Sequence, residues 1–150
     1  MAELNDEYIQ RVIEHTNNAP FPSHLPFTLE SIDYDTARVR VEIQPHHMQP
    51  YGIVHGGVIA TLIDTATFWA AFARLPEDAG LVNVDLKLNY LKALSKGVLI
   101  AEGRCLRFGR SLSYSEASIH SGEGDLIAHG TSTLMALPGQ GFDMDIPKFV

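Results

Sequence analysis

Residues 55–75 run His55-Gly56-Gly57-Val58-Ile59-Ala60-Thr61-Leu62-Ile63-Asp64-Thr65-Ala66-Thr67-Phe68-Trp69-Ala70-Ala71-Phe72-Ala73-Arg74-Leu75. After Gly57 the stretch has no chain-breaking residue until Pro76, which pushes Leu75 out of helical conformation. Apolar residues fall on every side of the helical wheel, and a helix of that kind must be enclosed. Thr61, Asp64, Thr65, Thr67 and Arg74 interrupt its hydrophobicity, so the stretch reads as a buried helix rather than a membrane span. One sheet covers a lone helix on all sides only if it curls around it and a second subunit closes the remainder.

Working outward, the flanks supply that sheet. Ala37, Val39, Val41 and Ile43 alternate with Arg38, Arg40 and Glu42, and Val82, Val84, Leu86, Leu88 and Tyr90 alternate with Asn83, Asp85, Lys87 and Asn89. Period-two patterning marks strands with one buried face. Phe27 to Asp33, Val98 to Phe108, Leu112 to His120 and Leu126 to Leu137 are further strands. Turns at Ser95-Lys96-Gly97, Phe108-Gly109-Arg110-Ser111 and Ser121-Gly122-Glu123-Gly124-Asp125 separate the later ones, and short turns imply antiparallel hairpins. Asn5 or Asp6 caps a short covering helix carrying Tyr8, Ile9, Val12 and Ile13. Asn17 to Pro26 and Gln44 to Val54 read as loops, and the tail from Pro138 to Val150 as irregular chain that a neighbour would order. The expected fold is α+β: one domain spanning 1–150, with a curved antiparallel sheet of five to six strands wrapped round one long helix.

Composition narrows the partners. A chain of 150 residues, 45% apolar, builds one core. A formal charge of -7 argues against a nucleic-acid partner and against anionic membranes. The single Cys105 has no internal disulfide partner, and Glu3, Asp6 and Glu7 stand where a signal peptide needs basic and apolar residues. The expected location is the cytoplasm.

Asp64 is the residue that fits least well with a buried helix. No Lys or Arg lies within helical reach of it, since Arg74 is almost three turns away. Buried carboxylates without partners are costly, so Asp64 either pins an interface through a hydroxyl or backbone group, faces water at a helix edge, or serves a function. The glycines favour function. Gly56-Gly57 opens the helix where N–H groups lack helical acceptors, a place suited to an oxyanion at the positive end of the helix dipole. More than two turns separate that point from Asp64, so both need not act on one atom from the same chain, and a dimer could set the carboxylate of one subunit beside the glycine turn of the other. Arg104, Arg107 and Arg110 near one turn, with Lys92 and Lys96 on the preceding connection, suit either phosphate recognition or a solvated sheet edge. His46-His47 lacks metal-ligand spacing, Cys105 is a strand residue, and Phe68, Trp69 and Phe72 belong to the core or a pocket wall.

The run Gln49-Pro50-Tyr51-Gly52-Ile53-Val54-His55-Gly56-Gly57, continued to Asp64, resembles the signature of hotdog-fold thioesterases of the phenylacetic acid degradation (PaaI-like) subgroup. The likeness extends through Val82 to Leu91, Gly103 to Ser111 and Ala128 to Ala136. The resemblance implies hydrolysis of acyl-CoA thioesters, with aryl or medium-chain acyl groups, to free acid and CoA without a cofactor. It implies that the Gly56 N–H polarises the thioester carbonyl and that Asp64 is general base or nucleophile. Gln49 would stand near the reacting carbonyl or water, His55 would orient the turn or touch the thioester, and Asn83 occupies a position where relatives carry a water-holding Ser or Thr. Gly57, Arg107, Gly109, Arg110 and Ser111 would bind substrate. A homodimer assembled into a homotetramer is the implied state. A non-enzymatic acyl-thioester-binding protein is the alternative. Where the family has a proline after the basic residue that follows Tyr90 and Leu91, this chain has Lys92-Ala93.

Overall fold

The computed structural model describes Met1–Val150. Helix α1 (Asp6–Asn17) starts at Asn5, whose side chain accepts the Glu7 N–H, and turns Tyr8, Ile9, Val12 and Ile13 inward. Helix α2 (Pro20–His24) is a single turn within the segment expected to be loop; Pro20 at its first position needs no N–H partner there. Strands β1 (Thr28–Asp33) and β2 (Thr36–Glu42) form a hairpin, and a 3₁₀ turn at Pro45–His47 leads toward α3 (Gly56–Phe72). Strands β3 (Ala79–Asn83), β4 (Lys87–Tyr90), β5 (Val98–Arg107), β6 (Leu112–Ser121) and β7 (Leu126–Pro138) follow.

All neighbours in the sheet are antiparallel, in the order β1-β2-β5-β6-β7-β3, with β4 also paired to β7. The alternation from Val82 to Tyr90, expected to bury one face throughout, instead builds one edge ladder in two pieces of opposite phase. Val82 and Val84 are exposed and Asn83 faces α3, whereas Leu86 and Leu88 pack on the core, because the register to β7 slips by one residue between the two pieces. Between them, Asp85 turns its carboxylate onto the Thr133 N–H at 2.7 Å and its main-chain carbonyl accepts the Ser132 hydroxyl at 2.8 Å. The sheet thus has six strand positions, as expected, and it curls around α3. Val58, Ile59, Leu62, Ile63, Ala66, Trp69, Ala70 and Phe72 of that helix sit in one core of 32 buried apolar residues. Close approach is possible because Gly103 of β5 carries no side chain: a Cβ there would strike the Ala66 carbonyl. The far end of the helix is fastened by Arg74, whose guanidinium donates two bonds of 2.5 Å to Asp35 in the β1–β2 turn.

The tail departs from expectation. It packs on its own chain: the Tyr8 hydroxyl donates to the Phe142 carbonyl, Arg11 donates to the Met144 carbonyl at 2.8 Å, and Leu4 and Phe149 form a β-bridge. The irregular backbone is held by α1 side chains, a long-range arrangement that local patterning does not reveal. No helix is long and apolar enough to cross a membrane.

Candidate active site at the start of the central helix

His55 caps α3. Its backbone is extended, and its ring Nδ1 accepts the Gly57 N–H at 2.7 Å. Nδ1 acts as an acceptor, so the neutral ring carries its proton on Nε2. The His55 carbonyl takes the Val58 N–H at 2.9 Å, and the Tyr90 hydroxyl donates to the Gly56 carbonyl at 3.3 Å. The Gly56 N–H is left without a partner in the chain, at the positive end of the helix. The loop feeding this turn is itself cross-tied. His47 is fully buried, its Nδ1 accepts the Gln44 N–H at 2.8 Å, and its carbonyl accepts the His55 N–H at 2.8 Å. Gln49 donates its N–H to Ile53 at 2.8 Å, and its side-chain oxygen accepts the Tyr51 N–H.

Asp64 lies half-buried on the third turn of α3, and its carboxylate has no hydrogen-bond partner within the chain. Burial pushes its carboxyl above the ordinary aspartate range. Its neighbours on the wheel, Ala60, Thr61, Thr65 and Phe68, are likewise half-covered, while the rest of the helix from Val58 to Phe72 is buried. This stripe is the part of α3 that the curled sheet leaves open. Asn83 does not reach the carboxylate. Its amide donates to the Asp64 main-chain carbonyl at 3.3 Å and to the Ser132 hydroxyl at 2.9 Å, tying the helix to β3 and β7. Eight residues of helix, about 12 Å, separate Gly56 from Asp64, so one chain does not bring both to one carbonyl.

A cavity of about 360 Å³ opens beside Gly56, walled by Gln49, Ile59, Tyr90, Leu94 and Ile127. The basic turn lies elsewhere. Arg107, Arg110 and Ser111 are exposed where β5 meets β6, and neither arginine forms an ion pair. Gly109 donates its N–H to the Ser113 hydroxyl at 3.3 Å, and the Ser111 carbonyl accepts the Ala136 N–H at 2.9 Å. Arg104 is engaged with Glu116 and Lys92 with Asp125, each at 2.9 Å. Along β7, Leu112 pairs with Met135 and Tyr90 with Ala128. Seven residues of strand, about 23 Å, thus hold the arginine turn away from Gly56 within one chain. Gln49, His55, Gly56 and Gly57 are brought together, Asp64 and Asn83 form a second group, and Arg107 to Ser111 a third. Sequence reading missed the contact of Tyr90 with the glycine turn, although its alternation with Leu86 and Leu88 already put it on the inner face.

The thioesterase superfamily model matches residues 51–128. The chain belongs to that superfamily. Among its relatives, an esterase-named protein of Halobacterium salinarum is 34% identical over 102 residues, 65% of this chain and 67% of that one. The 1,4-dihydroxy-2-naphthoyl-CoA hydrolase of Listeria monocytogenes is 26% identical over 89 residues, 59% of this chain and 72% of that one. A thioesterase family protein from Silicibacter pomeroyi has the same fold, with a TM-score of 0.80 and 26% identity over 88% of this chain and 99% of that one. The fold of this thioesterase-superfamily member is accordingly the hotdog, and membership supports thioester hydrolysis as its general chemistry.

Proposed function

We propose that this protein hydrolyses acyl-CoA thioesters carrying aryl or medium-chain acyl groups, with Asp64 as the catalytic carboxylate and the Gly56 N–H as the oxyanion donor. One observation carries the reading: a half-buried carboxylate and a backbone N–H, both unpartnered, stand on one helix, the N–H at the wall of an apolar cavity. The Listeria relative, a hydrolase of an aryl-CoA, supports the substrate class, and the PaaI-like motif from Gln49 to Asp64 supports the subgroup.

The site is completed by a second copy. The outer edge of β3 and β4 is unpaired in the chain. Asp64 lies beside Asn83 and Gly56 beside Tyr90, so a two-fold axis through the middle of that edge passes α3 near Ala60. Antiparallel pairing about this axis sets Asp64 of one subunit opposite the Gly56 turn of the other. The same operation carries the Arg107–Ser111 turn toward the partner's cavity end, where Arg107 and Arg110, with Gly109 and Ser111, receive the CoA phosphates. Assembly of dimers into a homotetramer and a cytoplasmic location belong to the same proposal.

In the reaction, Asp64 removes a proton from water as the oxygen attacks the thioester carbon. The carbonyl electrons move to an oxyanion facing the Gly56 N–H, and their return breaks the C–S bond, releasing acid and the CoA thiol. Direct attack by Asp64 gives an anhydride that water then opens, with the same products. Gln49 orients the water or the carbonyl. His55 acts through its cap on Gly57, and Asn83 acts by holding the backbone of Asp64. Thiol release from acetyl-, octanoyl-, benzoyl- and phenylacetyl-CoA, beside a p-nitrophenyl ester, tests the reading. Turnover is expected on the CoA esters, highest with the larger acyl groups. Tight binding of the thioesters with no hydrolysis of any would make the protein an acyl-thioester-binding module instead.

A further inference from the structure

We propose that Tyr90 is a positioning residue that clamps the oxyanion turn, an inference that rests on the thioesterase reading above. The peptide joining Gly56 to Gly57 is held from both sides. Its N–H is bound by His55 Nδ1 at 2.7 Å, and its carbonyl takes the Tyr90 hydroxyl at 3.3 Å. This peptide adjoins the free Gly56 N–H, so fixing its plane fixes the direction in which that N–H points. An oxyanion donor is effective only within a few tenths of an ångström of its target position, and small misplacements are costly in rate.

The contact also explains the glycine. Gly56 does not have a positive φ, so its backbone conformation does not require glycine. A Cβ added there would lie 3.0 Å from Tyr90 Cζ and from its hydroxyl oxygen, and 3.2 Å from Cε1. Tyr90, and not the backbone, crowds a side chain at position 56, so that the ring would have to give by a few tenths of an ångström to admit one. Although 61% exposed, Tyr90 is backed by the β4–β7 ladder opposite Ala128 and forms a wall of the cavity that contains Gly56. The ladder thus fixes the backbone from which the ring reaches the turn, and the hydroxyl supplies the one directional bond.

Kinetics of Tyr90→Phe, Gly56→Ala, Tyr90→Ala and the double variant on the best acyl-CoA ester test the clamp. Tyr90→Phe keeps the ring and removes the hydroxyl. It is expected to lower kcat roughly tenfold with KM within about twofold and an unchanged melting temperature. Gly56→Ala is expected to cost about 100-fold in kcat in the wild-type background and only a few-fold in the Tyr90→Ala background, because the collision is gone. A kcat for Tyr90→Phe equal to wild type, or equal costs of Gly56→Ala in both backgrounds, overturns the proposal. If wild type hydrolyses no thioester, the thioesterase reading fails separately, and amide exchange then decides the clamp. Faster exchange of the Gly57 N–H in Tyr90→Phe upholds it, and unchanged exchange refutes it.

Discussion

The two ends of α3 are treated in opposite ways. At the C-terminal end, Lys148 from the tail reaches in, 1% exposed, and donates 2.8 Å hydrogen bonds to the carbonyls of Phe72 and Leu75. Its ammonium lies 4.2 Å from the Phe72 ring centre. The negative pole of the helix is thus closed by a cation from the far end of the sequence. At the N-terminal end His55 satisfies Gly57, Tyr90 holds the Gly56 carbonyl, and the Gly56 N–H is left open toward the cavity. The same helix physics closes one end for stability and leaves the other for a ligand. Asp64, between them, adds a second departure from a fully satisfied core.

Breaking the open half has the largest expected effect. Asp64→Asn should reduce thiol release by about 10³-fold while raising the melting temperature at neutral pH. Burial raises the carboxyl pKa, so the folded chain holds more protons than the unfolded chain between the ordinary aspartate value and the raised one. Stability is therefore lost as pH rises through that window. Asn removes the loss, and melting curves of the two proteins should converge in acid. Activity should fall in acid with a midpoint above the ordinary aspartate value, since only the ionised carboxylate serves as base or nucleophile.

The closed half breaks differently. Lys148→Met leaves the buried Leu75 carbonyl without a donor and the Phe72 carbonyl with only the Leu75 N–H. It should cost about 1–3 kcal/mol of stability, read by denaturant unfolding, with kcat unchanged at 25 °C. Burial lowers the Lys148 pKa to about 8 from an ordinary value of 10.5. Between those values the unfolded chain holds more protons, so this lysine makes stability rise with pH across the window. The rise should disappear in Lys148→Met. The smallest effect is expected away from both ends: Arg110→Ala should raise KM for a CoA ester roughly three- to tenfold and leave kcat and the melting temperature alone.

How much of this was legible follows from which contacts are local. An all-apolar wheel from Val58 to Phe72 and period-two strands imply a helix inside a sheet, and both stand. The break at Asp85 within the Val82–Tyr90 alternation was hidden, because an unbroken apolar alternation gives no sign that the register to β7 slips by one residue there. The slip leaves Val82 and Val84 exposed and Leu86 and Leu88 packed on the core, while the Asp85 carboxylate takes over a ladder bond from the Thr133 N–H. Lys148 was invisible as a helix cap. A lysine in a Pro- and Asp-rich tail reads as solvated, and only folding sets it beside Phe72 and Leu75. Gly56 and Asp64 were legible as anomalies, an open helix start and a buried acid. Their separation of eight residues was legible too, and with it the expectation that two chains share the site. What Asn83 touches was not, since its partners Ser132 and the Asp64 carbonyl are distant in sequence.

The most direct test of the central claim, that the Gly56 turn of one subunit works with Asp64 of its partner, is thiol release by mixed dimers of two inactive variants, Asp64→Asn and Gly56→Ala, formed by co-expression. Each mixed dimer then has one site with both wild-type residues and one with neither. Recovery of roughly a quarter of wild-type activity is expected from a statistical mixture. A mixture no more active than its parents would contradict it, and would require the two residues to act within one chain or not at all.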